Sequence, residues 1–173
     1  TAFKQLFTDE IQQQDEFVND CTIDTDLEIL IPDTYVENIT ERLSLYNRLD
    51  NCANEEDLKT LHNEMQDRFG SIPPQVEDLF LTVRIRKIAI QLGFERLVLK
   101  DKILKCYFIS KPDSPFFESA IFQNILQYIQ TALRNAQLKQ TGKFCILTVD
   151  DMNDMEQLHQ FLQKMSNTIS LKK

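Results

Sequence analysis

Glycine is scarce: three residues in 173, at positions 70, 93 and 142. None stands in a G-x-G-x-x-G or G-x-x-x-x-G-K-[ST] spacing, so the chain lacks the backbone cradles that hold a pyrophosphate or nucleotide phosphates. Nucleotide binding is not expected on that ground. Histidine is scarcer still. His62 and His159 each sit in a helical pattern with no cysteine or serine placed for activation, which leaves no nucleophile and base pair. The four cysteines, 21, 52, 106 and 145, lie at least 31 positions apart, a poor zinc pattern that reads as reduced, buried thiols. Apolar runs never approach the roughly 20 residues of a membrane span. The longest, Phe144 to Val149, has strand length. At the start, Phe3, Leu6 and Phe7 are interrupted by Lys4 and Gln5, and no small-residue cleavage site follows, so no signal peptide is expected. A chain that opens on Thr1, already in helical pattern, reads as a piece of a longer protein.

What is present is ordinary globular material. Hydrophobic residues make up 42% and charged residues 27%, which removes disorder from consideration, and 173 residues suit one domain or one domain with an appendage. The net charge of -8 is unevenly spread. Residues 1–80 carry 19 acidic and 5 basic side chains, a balance of -14, against 8 acidic and 14 basic over 81–173, a balance of +6. The first half should repel phosphate. Only 84–105 could attract nucleic acid, with Arg84, Arg86, Lys87, Arg96, Lys100, Lys102 and Lys105 against Glu95 and Asp101. Those cations straddle a helix end and two strands, so they read as a solvated face.

Periodicity organises the rest. Phe3, Leu6, Phe7 and Ile11 predict a short amphipathic helix over 2–14. Alternation from Cys21 to Ile31 predicts a strand with one wet face, either a sheet edge or an extended arm. Asp33 is a candidate cap for a helix whose stripe is Tyr35, Val36, Ile39, Leu43, Tyr46 and Leu49. Asn54 caps a second, with Leu58, Leu61, Met65 and Phe69 inward and Gly70 as its stop. A third runs from about Gln75 to Leu92 on Val76, Leu79, Phe80, Val83, Ile88 and Leu92. Phe94–Lys100 and Ile103–Ser110 then read as a hairpin about Asp101-Lys102, Ser114-Pro115 as a helix start, and Leu138 with Phe144–Val149 as a second hairpin. Asp151 is the expected cap of a last helix carrying Met152, Met155, Leu158, Leu162 and Met165. The fold class is α+β: several amphipathic helices packed on a small, mainly antiparallel sheet built from hairpins.

The acidic group Asp150, Asp151, Asn153, Asp154 and Glu156 fails the calcium-loop test, because Glu156 stands at the sixth position where the tight turn needs glycine. A helix start favoured by its dipole explains it. With no oxyanion donors or recognisable pocket, no catalytic residue, metal or cofactor is assigned.

Two stretches carry a family likeness. IPDTYVENITERLSLYNRL at 31–49 and EDLKTLHNEMQDRFGSIPPQVEDLF at 56–80 resemble the C-terminal TRCF domain of bacterial transcription-repair coupling factors. The match preserves the order of a proline, an RLxxYxRL helix, a helix ending in DRFG and a proline-led helix. TDLEILIP upstream and the later hairpin-plus-helix ending extend it over about 150 residues. Met65 stands where the family usually has leucine, a volume-conserving change.

The resemblance implies a parent protein that is a DNA translocase, displaces stalled RNA polymerase and recruits excision repair. Residues 1–31 would be the end of the motor and a connecting segment, and 32–173 the regulatory domain. RNA polymerase, double-stranded DNA, ATP and magnesium would be bound elsewhere in the parent, in the bacterial cytoplasm. This domain would fold onto the amino-terminal UvrB-like module and mask the surface that UvrA binds. Glu64 and Asp67 match the family's acidic positions facing that module, and at i and i+3 they share a helix face. Two other readings stand beside this one: a nucleic-acid module using 84–105, and an adaptor that contacts RNA polymerase or a repair protein directly.

Overall fold

Residues 17–170 are described by the computed structural model, so the helix expected over 2–14 lies outside the described residues. They divide into two compact units, one made of 28–84 and the other of the residues on either side of that segment.

In the 28–84 unit the chain first turns tightly. Tyr35 and Val36 both donate their N–H to the Pro32 carbonyl, at 3.0 and 3.1 Å, so Asp33 lies in a turn and caps nothing. Helix α1, Ile39–Asp50, begins five residues later at Asn38, whose side chain accepts from the Glu41 N–H. Helix α2, Glu55–Phe69, starts at Asn54 as its sequence predicts. The Asn54 side chain accepts from Asp57 N–H at 2.8 Å and the Asp57 carboxylate accepts from Ala53 N–H at 3.0 Å, which satisfies two otherwise orphan donors. Gly70, at φ +90°, ends the helix in a conformation that other residues resist. Helix α3, Pro74–Gln91, follows, and the division between units falls within it after Arg84.

The core of this unit joins Leu45 and Leu49 of α1, Leu58, Leu61 and Met65 of α2, and Val76, Phe80 and Val83 of α3. Of the expected stripe, Val36 and Leu49 are in the core and Tyr35 and Tyr46 pack against it, but Ile39 and Leu43 are not. Leu45 faces inward, while Ile39 and Leu43 are 64% and 59% exposed. Two helical stripes run along α1, and the neighbouring helices select the one they cover.

The second unit carries a five-stranded sheet: β1 (Thr22–Thr25), β2 (Phe94–Lys100), β3 (Ile103–Phe108), β4 (Ala136–Thr141) and β5 (Phe144–Val149). Their order across the sheet is β1-β2-β3-β5-β4. All neighbours are antiparallel except β1, which lies parallel to β2 at one edge. The fold is therefore α+β, with one parallel pair added to the expected hairpins. The strand expected over 21–31 is ladder-paired only at 22–25. At the β2–β3 turn Asp101 and Lys102 both adopt positive φ, 53° and 62°, the pattern of a type I′ turn made without glycine.

One sheet face buries Leu97, Leu99, Leu104, Cys106, Phe108, Leu147 and Val149. The region expected to be one helix from Ser114 is broken in two. A 3-10 turn, Pro115–Glu118, is followed by α4, Ala120–Ala132, with Ser119 capping the latter through a bond from Phe122 N–H at 3.2 Å. Phe116 and Phe122 pack on the Phe108 ring at 5.8 and 5.3 Å. Helix α5, Met155–Ser170, buries Met155, Leu158, Leu162 and Met165 as expected, while Met152, expected on the same helix, is buried from the loop before it. Its first turn is held by Asp154, which accepts from Gln157 N–H at 2.8 Å. Asp151, the expected cap, instead sits at φ 58° in the loop where Met152 N–H bonds the Lys102 carbonyl. The Ser119 cap sets a first prediction: Ser119→Ala should lower stability by about 1 kcal/mol in thermal unfolding, and no change would show that water replaces the hydroxyl.

Candidate partner-binding face

Helix α2 presents its core residues at 58, 61 and 65, which leaves Glu64 at one flank and Asp67 outside. The two acids have different surroundings. Glu64 is hydrogen-bonded by Arg48 of α1 and has Arg68 Nη1 at 3.7 Å. Arg68 in turn pairs with Glu41 of α1 at 2.5 Å and lies over the Phe69 ring at 4.7 Å. Glu41, Arg68, Glu64 and Arg48 thus form an alternating chain of charges that zips α1 to α2. The geometry follows from spacing: 41 and 48 are two turns apart on one flank of α1, and 64 and 68 one turn apart on α2. Asp67 is exposed and has no ion-pair partner among the described residues.

The hydrogen bond from Arg48 holds the Glu64 carboxyl below the ordinary carboxylate range, with Arg68 assisting. A depressed acid stabilises the fold above its unfolded pKa, and that contribution disappears as pH falls through the folded value. Both partners of the pair are more than one-third exposed, so solvent screening keeps the term small. Arg48→Ala should therefore destabilise by about 0.2–1 kcal/mol at neutral pH, with the difference from wild type vanishing in acid. Urea unfolding at both conditions checks it; a difference that survives acid would assign the loss to packing.

The remaining candidates are structural ties. His62 meets the Glu77 carboxylate at 2.8 Å and sets its ring edge-on against Phe80, centroids 5.1 Å apart. Of the cations between 84 and 105, Arg84 is bound to Glu55 at 2.7 Å and Arg96 to Asp24 at 2.7 Å, the latter lying over Tyr107 as well. All four cysteines are free thiols. Burial pushes Cys21 up to about 12 and raises Cys106 and Cys145, so these three are protonated rather than nucleophilic. Among the described residues no group of three or more His, Cys, Asp or Glu side chains could hold a metal, and no helix is long and apolar enough to cross a membrane. The sequence singles out Glu64 and Asp67 but not their unequal engagement, since Arg48 lies 16 residues away.

The sequence model of the TRCF domain matches residues 25–119, more than half of the chain and all of the 28–84 unit. The chain belongs to the TRCF domain family. The transcription-repair-coupling factor of Rickettsia conorii (strain ATCC VR-613 / Malish 7) is 30% identical over 163 residues, 93% of this chain and 14% of that protein. That of Bacillus subtilis (strain 168) is 36% identical over 80 residues, 46% of this chain and 7% of that one. This TRCF domain therefore spans a small fraction of the curated relatives it matches. A crystal structure of the C-terminal domain of transcription-repair coupling factor has the same fold, with TM-score 0.69 at 17% identity over 89% of this chain and 98% of that one.

Proposed function

We propose that this TRCF domain is the non-catalytic regulatory module of a transcription-repair coupling factor. The parent is read as a bacterial, cytoplasmic DNA translocase that displaces stalled RNA polymerase and recruits nucleotide excision repair. Residues 1–31 close its motor and connect it to the regulatory domain at 32–173. ATP, magnesium, RNA polymerase and double-stranded DNA are engaged elsewhere in the parent, and this domain works without a cofactor. It docks on the amino-terminal UvrB-like module and covers the surface that UvrA takes, so docking and UvrA capture compete.

The observation that carries this reading is Asp67, an exposed acid without an ion-pair partner among the described residues, on a helix inside the family-matched region. Its surroundings favour a cationic partner, because residues 28–84 hold 12 acidic and 5 basic side chains, a balance of -7. Glu64 beside it contributes by holding α1 against α2. Reversal of Asp67 to lysine should weaken capture of the 173-residue chain by the isolated amino-terminal module about tenfold, which is 1.4 kcal/mol. The full parent carrying the same change should capture UvrA correspondingly better. Loss of UvrA capture on deleting the domain would reverse the sign and favour an adaptor. Unchanged capture with unchanged unfolding would return Asp67 to solvent.

A further inference from the structure

Strand β4 is an open edge: among the described residues it pairs with β5 alone. The register decides which of its backbone groups are used. The turn Gly142-Lys143 closes on the Thr141 and Phe144 pair, and in a two-residue hairpin the closing pair exchanges both its hydrogen bonds, as do alternate pairs beyond it. Thr141, Lys139 and Gln137 therefore bond to β5, while the N–H and C=O groups of Ala136, Leu138 and Gln140 point outward. Edges are commonly blunted by shortness, proline, a bulge or charged side chains, of which β4 carries one, Lys139. β1, at the other edge, has four residues; β4 has six, with no proline and no register shift.

A groove adjoins this edge on the face where Gln140 and its register partner Cys145 project. Pro112, Phe117, Phe122, Gln140, Lys143 and Cys145 line about 270 Å3, room for one large side chain. A strand added at β4 turns every second side chain to that face. Charge then selects the occupant. Around β4 and its turn the cations Arg134, Lys139 and Lys143 have no acid among them, the flanking acids being Glu118 and Asp150, within a protein of net charge -8.

We propose that the β4 edge and its groove are a docking site for an extended acidic segment, which adds as a sixth strand and places one aromatic or aliphatic side chain in the groove. A second copy of this chain fits less well, because two β4 edges gather six cations, Arg134, Lys139 and Lys143 from each, into one interface. The site lies in the sheet-bearing unit and is independent of the masking reading.

The test is titration of the isotope-labelled chain with a seven-residue peptide of alternating glutamate and valine around a central phenylalanine. Saturation should shift the amide signals of Ala136, Leu138 and Gln140 and slow their hydrogen exchange about tenfold or more. Lys139→Glu with Lys143→Glu, both exposed, should weaken binding about tenfold while leaving the unfolding transition in place. A peptide N-methylated at alternate residues, unable to donate to the edge, should not bind. Absence of shifts at about millimolar peptide, or equal binding by a lysine-for-glutamate peptide, overturns the proposal. So does preferential shifting of these amides by oligothymidine or by self-association of the chain, each of which assigns the edge to another occupant.

Discussion

Gly93→Ala is expected to destabilise the sheet-bearing unit by about 2–5 kcal/mol, the sum of a strained backbone and an overfilled core. Gly93 follows α3 at φ +84°, where an L-residue is strained by about 1–2 kcal/mol. The space is also taken. A Cβ built there would stand 2.2 Å from Phe116 Cζ and 2.3 Å from Cε2. Phe116 is fully buried and ringed by Phe17, Phe108, Phe117 and Phe122 at centroid distances of 5.4 to 5.8 Å, so its ring has nowhere to swing. Gly70 supplies the control, because it has φ +90° and nothing within 4 Å of its would-be Cβ. Gly70→Ala should lose only the backbone part, about 1–2 kcal/mol. Combining Gly93→Ala with Phe116→Leu should cost less than the two changes summed, since the smaller side chain relieves the overlap. Urea unfolding of wild type, the two glycine variants, Phe116→Leu and the double variant measures this. Equal losses for the two glycine variants would mean that the Phe116 ring is free to move.

The same pair shows where sequence reasoning stops. A glycine at the end of a helix pattern announces a stop, but nothing local announces the ring of a residue 23 positions on. Helices α2 and α5 and both hairpins are legible because each apolar set falls on one face and the turn residues are local. Helix α1 offers two faces, one with Ile39 and Leu43 and one with Leu45, both compatible with Tyr46 and Leu49, and only the packing of the other helices chooses between them. Caps compete similarly: Asp33 and Asn38 have equal chemistry, and the Pro32 carbonyl decides by drawing Tyr35 and Val36 into a turn. The parallel pairing of β1 with β2 joins residues more than seventy positions apart and has no turn to signal it. At the candidate face, i and i+3 spacing puts Glu64 and Asp67 together, yet which acid remains available depends on Arg48 and Arg68 reaching one of them.

Phe80→Ala should destabilise the three-helix unit by about 3–5 kcal/mol, and Leu61→Ala by about 2–5. Phe80 is fully enclosed and Leu61 2% exposed, and both belong to the cluster shared by α1, α2 and α3. Deleting the phenyl ring loses its transfer free energy and leaves a cavity that rigid helix positions close only in part. The His62 ring loses its edge contact as well. His62 keeps the Glu77 carboxylate at 2.8 Å, so the exposed side of the unit should be spared and the damage confined to packing. Amide exchange in α2 reads the effect locally, which matters because helices with caps as complete as Asn54 and Asp57 can stay helical while tertiary packing fails. Exchange at the Leu58, Leu61 and Met65 amides should accelerate by the full lost free energy, about a factor of ten for each 1.4 kcal/mol. Acceleration confined to the last turn near Phe69 would mean local fraying. A loss under about 0.5 kcal/mol at both positions would mean that these side chains do not bear the core, and would redraw the inner faces of α2 and α3.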